Sequence, residues 1–268
     1  MAGDHPDAQL FPNATGAAAA MVKAHQKEEP LKLYSGWFCP FVQRVLLVLL
    51  EKNIPFQYIE VNPYHKPKSL LDLNPRGLVP TLQYDNKPLY ESTVVCEFLE
   101  DAYPSATPKL VPSDPYAKAR MKIWADFVTS RIIPAFHRFL QYQPKSVSDT
   151  GLEKVRLEFV EQLKQFTQEM DPEGPYFLGR DLSLIDLVIA PWVVRLWVFD
   201  HFKGGIKLPK EEAWAQRFEK WQKAVENRDS TVNSTSERQH YLPIYQRYAD
   251  DVAMSELAKA TREGKGVP

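Results

Sequence analysis

Apolar positions change their period once along this chain, and the change divides it. Residues 31–34 form a short apolar strand, ended by Ser35-Gly36. A helix follows from Pro40, with Phe41, Val45, Val48 and Leu49 recurring on one side. Proline suits the first helical position, where its missing N–H costs nothing. After Asn53-Ile54-Pro55, residues 56–61 alternate as a second strand. A short helix over 68–73 stops before Asn74-Pro75-Arg76-Gly77. Residues 81–84 and 88–90 flank the turn-forming Asp85-Asn86-Lys87 and predict a hairpin. Ser92 then caps a third helix reaching about residue 103.

This order predicts a small α/β layer that begins with a βαβ unit. Pro104, Pro108, Pro112 and Pro115 follow within a dozen residues, so 104–115 reads as a linker. Beyond it strand-like alternation gives way to helical periodicity over 116–140, 149–170, 183–201, 209–227 and 237–257. The expected domains are therefore an α/β unit over 30–103 and an all-helical unit over 116–260. Residues 1–29 have no apolar period and read as a flexible arm. Residues 261–268 read as a tail, with Lys259, Arg262 and Lys265 at its approach.

Composition narrows the function classes. Apolar residues make up 44% and charged residues 25% of 268, ordinary for a globular protein. A formal net charge of -1 supports no broad attraction to nucleic acid or anionic lipid. No apolar run approaches the roughly 18 residues of a membrane helix. The first residues lack a basic start followed by an apolar stretch, so a cytoplasmic location is expected. Two cysteines in a chain this long make no disulfide framework, and no histidine has metal-ligand spacing, so no metal is expected.

The two cysteines differ sharply. Cys39 stands between strand and helix, immediately before Pro40. There the first helical N–H groups lack backbone partners and the helix dipole is positive. A thiolate is stabilised in that position, which lowers the pKa from about 8.5 and makes a nucleophile. A dithiol redox motif needs a second cysteine at 42, where this chain has Val42. Any mixed disulfide on Cys39 must therefore be resolved by an external thiol. Cys96 falls within the apolar spacing of Val95, Phe98 and Leu99 and reads as core.

Three motifs in order carry a family likeness: Phe38-Cys39-Pro40-Phe41-Val42-Gln43-Arg44, Asn74-Pro75-Arg76-Gly77-Leu78-Val79-Pro80, and Tyr90-Glu91-Ser92. Together they resemble the omega class of glutathione transferases. The likeness spans about 32–250 and continues through Tyr176-Phe177-Leu178-Gly179-Arg180 into Leu182-Ser183-Leu184-Ile185-Asp186-Leu187. This last segment also reads as a capping box, Ser183 with Asp186, stapled by Leu182 and Leu187. The resemblance implies a thioredoxin-like, glutathione-binding N-terminal domain, an all-helical C-terminal domain, and a homodimer.

It also implies roles. Val79-Pro80 resembles the cis-proline turn that presents the Val79 backbone to the cysteinyl part of glutathione. Glu91 and Ser92 resemble the pair holding the γ-glutamyl end, although Ser92 also reads as a plain helix cap. Lys66 matches the lysine that meets the glycyl carboxylate, and Phe41 the aromatic beside the glutathione thiol; each also reads as an ordinary surface or packing residue. For a second substrate, Trp124, Phe127, Val128 and Arg131 have the spacing of one helix face, a pattern shared with simple core stripes. Arg195 matches an arginine near the pocket in animal members. His240 stands where those members carry an aromatic.

A cysteine at residue 39 is a far better nucleophile than the tyrosine or serine of many related transferases. The resemblance then implies a catalytic Cys39 that performs thiol transfer, deglutathionylation of adducts such as α-glutathionyl ketones, or dehydroascorbate reduction. Conjugation of aryl halides is expected to be weak. Two other readings share the scaffold: a non-catalytic glutathione- or ligand-binding protein, and the chloride-channel-like branch with a similar cysteine-proline-phenylalanine motif.

Overall fold

The computed structural model describes residues 5–146 and 148–268. Helix α1 (Gly16–Ala24) precedes strand β1 (Lys32–Ser35). Helix α2 (Pro40–Glu51), strand β2 (Gln57–Glu60), helix α3 (Lys68–Leu73), strands β3 (Thr81–Tyr84) and β4 (Lys87–Tyr90), and helix α4 (Ser92–Ala102) follow. The sheet order is β2-β1-β3-β4, with β1 parallel to β2 and antiparallel to β3. The hairpin pairs Tyr84 with Lys87, leaving Asp85 and Asn86 as a two-residue loop, both at positive φ. That is the backbone a tight hairpin needs, and Asp and Asn tolerate it. The expected thioredoxin-like layer is therefore present.

Helix α2 has buried residues all round, from Val42 to Leu49. It packs against α4 and against residues 229–233 of the same unit. Two of its buried residues are polar, Gln43 and Arg44, and Lys52 caps its end. Lys52 Nζ donates to Glu100 at 2.6 Å and to the carbonyls of Ala106 and Pro108 at 3.2 Å each. The first half of the proline-rich linker is thus fastened to α2, because a buried ammonium needs oxygen partners.

The helical region runs α5 (Pro115–Phe127), a π-helical turn (Val128–Ile132), α6 (Ile133–Gln141), α7 (Gly151–Gln168), α8 (Leu184–Val193) and α9 (Trp197–Lys203). It continues with α10 (Ala213–Glu226), α11 (Asp229–Asn233), α12 (Arg238–Ala249) and α13 (Glu256–Arg262). Phe136, Phe139, Phe159 and Phe199 pack ring against ring in its core. Arg262 donates to Ala253 O at 2.7 Å, so the approach to the tail is docked.

The expected helix over 183–201 is divided between α8 and α9, that over 237–257 stops at Ala249 before α13, and two larger features also depart from the expectations. Residues 16–24 of the expected arm form a helix, while residues 1–4 lie outside the described residues. Its buried residues are Ala18 and Met21, with Ala14 just before it, too few and small to carry much hydrophobic signal. The chain also divides differently: residues up to 111 form one compact unit together with 227–241, and 112–226 with 242–268 form the other. The reason is polar. Arg228 and Ser230 bond Glu51, and Gln43 donates to Ser234 Oγ and Thr235 Oγ1 at 3.0 Å each.

The expected capping box is formed. Asp186 is fully buried and accepts from Ser183 N at 2.9 Å and Ser183 Oγ at 2.7 Å. It also accepts from Phe177 N and Trp221 Nε1, each at 2.8 Å. Burial pushes its pKa upward against these four donors. Asp186→Ala strands buried donors at about 1–3 kcal/mol each. We expect an overall loss of about 3–5 kcal/mol, read from urea denaturation; a loss below about 1 kcal/mol would show the network to be dispensable.

Candidate active site

Strand β1 ends at Ser35, and the turn Gly36–Cys39 carries the chain into α2. Cys39 N donates to Gly36 O at 2.9 Å, closing the turn, and Val61 N donates to Ser35 O at 2.8 Å. Cys39 is the N-cap of α2, with Pro40 in the first turn, and is half-buried. Its Sγ lies 3.8 Å from Val79 O. The sequence placed this thiol at the junction, and it stands there.

Val79 belongs to a second turn. The Val79–Pro80 peptide bond is cis. Asn74 organises the approach: its Nδ2 donates to Thr81 Oγ1 at 3.1 Å, and its Oδ1 accepts from Arg76 N at 3.1 Å. Gly77 has φ +62, which favours glycine, and a Cβ there would lie 2.4 Å from Lys66 Cδ and so displace the lysine stem. Lys66 is exposed, with its stem along this turn and its Nζ donating to Arg76 O at 2.7 Å.

The third element is the start of α4. Glu91, not the expected Ser92, is the N-cap, and Ser92 is the first helical residue; Glu91 has φ 69, an uncommon and costly conformation for a residue with a side chain. Its exposed carboxylate accepts from Arg76 Nη1 at 3.2 Å. Ser92 is buried and accepts from Arg44 Nη1 at 3.3 Å, which leaves its hydroxyl hydrogen available to a ligand acceptor. Arg44 lies beneath all this, 1% exposed, with its guanidinium 5.4 Å from the Phe41 ring centroid. Burial lowers its pKa to about 10, so it remains a cation at neutral pH, within electrostatic reach of both Cys39 and Cys96. Burial pushes the Cys96 thiol up to about 12. Cys96 is the core residue the pattern implied.

Cys39, Phe41, Lys66, Val79, Pro80, Glu91 and Ser92 thus all lie on the turns and helix starts of one unit. Arg44 and Arg76 were quoted in the motifs without roles. Their signal was an arginine one turn into an otherwise apolar helix, and another beside the turn's glycine.

The residues expected on the other side fare differently. Trp124 and Phe127 are half-buried with centroids 4.8 Å apart, Val128 is fully buried, and Arg131 is exposed. Trp124 and Phe127 lie together on α5, whereas Arg131 falls within the π-helical turn Val128–Ile132, which adds a residue to the repeat and takes it off the regular α-helical spacing. Pro134 accounts for the break: its ring cannot accommodate the carbonyl four residues earlier in a regular helix. Arg195 is 2% exposed and donates to Pro191 O, bracing the α8 end. His240 stacks on Phe11 at 4.1 Å, and its Nδ1 lies 3.0 Å from Thr15 Oγ1, both on the N-terminal segment.

Residues 38–102 match the family described as "Glutathione S-transferase, N-terminal domain". Glutathione S-transferase omega-1 of Sus scrofa is 37% identical over 185 residues, 69% of this chain and 74% of that protein. The crystal structure of glutathione transferase Omega 3C from Trametes versicolor is 41% identical, covers 91% of this chain and 100% of its own, and superposes with a TM-score of 0.81. The chain belongs to the omega class of glutathione transferases. A rice transferase solved in complex with glutathione is more distant, at 25% identity over 82% of this chain and 96% of its own, with a TM-score of 0.70. Among the described residues of this omega-class chain, no group of His, Cys, Asp and Glu is arranged to hold a metal ion. No described helix is long and apolar enough to cross a membrane.

Proposed function

We propose that this transferase works by covalent thiol chemistry at Cys39, with glutathione as co-substrate. The observation that carries the reading is a half-buried thiol at the N-cap of α2, with no second cysteine within the turn to resolve a disulfide. Helix N-termini favour anions, and a thiolate there is a strong nucleophile.

Glutathione would be held by the three elements around that thiol. Ser92, already accepting from Arg44, donates its hydroxyl to the γ-glutamyl carboxylate, while Glu91 accepts from the ammonium. The Val79 backbone after the turn meets the cysteinyl part, Pro80 fixing its approach. Lys66 serves the glycyl carboxylate and Phe41 borders the sulfur. Trp124, Phe127 and Val128 remain candidates for the second substrate's side.

On a glutathionylated substrate, the Cys39 thiolate attacks the glutathione sulfur, and the S–S bond to the substrate breaks. The substrate leaves as a thiolate and takes up a proton. A second glutathione thiolate then attacks the glutathione sulfur held by Cys39. Oxidised glutathione departs and the Cys39 thiolate is restored. With an α-glutathionyl ketone the same attack on sulfur breaks the C–S bond, and its electron pair leaves as an enolate that a proton converts to the ketone. For dehydroascorbate, two glutathiones supply the two electrons and end as one disulfide. Conjugation is disfavoured, because Cys39 competes for the glutathione sulfur instead of merely polarising it.

The test is glutathione-dependent reduction of a small mixed disulfide by wild type and Cys39→Ser. Wild type is expected to be active and the variant to fall to the uncatalysed rate. Inactivity of both with glutathione still bound would leave the scaffold a binding protein. Aryl-halide conjugation that is robust and survives Cys39→Ala would equally overturn the reading.

We also infer a homodimer. A dimer is typical of the family, and Val94, 55% exposed on α4, is an apolar position at which to test it. Val94→Lys is expected to shift the mass measured by light scattering toward one chain. A wild type that is already monomeric, or a variant that remains a dimer, would contradict this.

A further inference from the structure

The turn that carries Cys39 is held by a carboxylate that has no cationic partner among the described residues. Glu60 ends β2, opposite Ser35 at the end of β1. Its Oε1 accepts from Trp37 N at 3.2 Å, in the middle of the Gly36–Cys39 turn. Trp37 is buried and held elsewhere too: its Nε1 donates to Phe11 O at 2.9 Å, and its ring packs on Tyr241 at 4.9 Å. The other Glu60 oxygen, Oε2, is buried beside the Tyr58 hydroxyl with no well-formed hydrogen bond, and Ser35 Oγ is likewise buried without one.

We propose that Glu60 is a positioning residue for the Cys39 thiol, acting through the Trp37 backbone to hold the turn that aims Cys39 along the start of α2. It goes beyond the thiol chemistry proposed above and rests on that reading only for its importance in turnover. An ionised carboxylate makes a shorter and stronger bond to an N–H than its protonated form does. The turn should therefore be held more firmly when Glu60 is charged.

The groups facing Glu60 set where that happens. From β2 it meets the Tyr58 hydroxyl, from β1 Ser35, and from the turn the Trp37 N–H. Tyr241, at the start of α12, acts on Tyr58 in turn. Among the described residues no Lys, Arg or His pairs with Glu60. Burial raises its pKa to about 7, opposed by the bond from Trp37 N–H and by the neighbouring Tyr58 hydroxyl. Its ordinary value is 4.5, so between those two values the folded chain keeps a proton that the unfolded chain has lost. Its contribution to stability falls as pH rises through that window and then levels off. The position thus exchanges stability for a firmer turn as pH passes neutrality.

The experiment is the rate of Cys39 alkylation by iodoacetamide from pH 5 to 9, on the full chain without glutathione, for wild type, Glu60→Gln and Glu60→Leu. All three carry Cys96→Ala so that a single thiol reports. Glu60→Gln keeps an acceptor and cannot ionise; Glu60→Leu has neither property. Expected are a wild-type profile that needs a second ionisation near neutrality, and a Glu60→Gln profile that needs only the thiol's own. At the high-pH plateau Glu60→Gln stays within about twofold of wild type, while Glu60→Leu falls several-fold. Three profiles with equal plateaus and one ionisation each would overturn the proposal. If Glu60→Leu fails to fold by circular dichroism, wild type against Glu60→Gln still decides. No turnover is required, so a failure of the thiol-transfer reading would leave these profiles readable.

Discussion

Everything in the N-terminal unit converges on the junction where β1 becomes α2, because a thiol is useful there only if the helix start is held still. A strand fixes its own backbone by ladder bonds, and a helix fixes its own by i to i−4 bonds. The few residues between them have neither. The turn here is closed by Cys39 N on Gly36 O, moored at Ser35 O by Val61, and tied at Trp37 to Glu60 and Phe11. A sulfur 3.8 Å from Val79 O then sits at a defined point beside the second turn.

The helix behind that junction explains the unusual polarity of its surroundings. Helix α2 is buried on all sides, so any polar residue on it must be answered from elsewhere in the unit. Gln43 is answered by Ser234 and Thr235, Arg44 by Ser92, Glu51 by Arg228 and Ser230, and Lys52 by Glu100 with two linker carbonyls. Each answer recruits a distant segment. Residues 227–241 join the first unit for this reason, and the linker is fastened before it reaches the helical domain. Arg44 also links structure to chemistry, since one buried cation supports both Ser92 and the electrostatic surroundings of Cys39.

Much of this was legible in the chain. The strand and helix order, the hairpin (with a loop one residue shorter than expected), the Ser183–Asp186 capping box and the location of Cys39 follow from period, turn residues and caps, all of them local signals. The residues that escaped depend on non-local partners. Helix α1 was missed because its buried residues are only Ala18 and Met21, too small a stripe to stand out from a polar arm. The Trp124 to Arg131 face was expected from an unbroken α-period, which the π-helical turn before Pro134 removes. Glu60 read as an ordinary polar position of an alternating strand. Only the tertiary structure reveals that its carboxylate is directed inward, at the turn carrying the nucleophile.

The most direct measurement is intact-protein mass spectrometry after brief exposure of the reduced chain to oxidised glutathione. A monothiol cycle predicts the added mass of one glutathione, located on Cys39 and not on Cys96, absent from Cys39→Ser, and removed by excess reduced glutathione. No adduct on a folded wild type, or an adduct that persists in Cys39→Ser, would contradict the role given to this thiol.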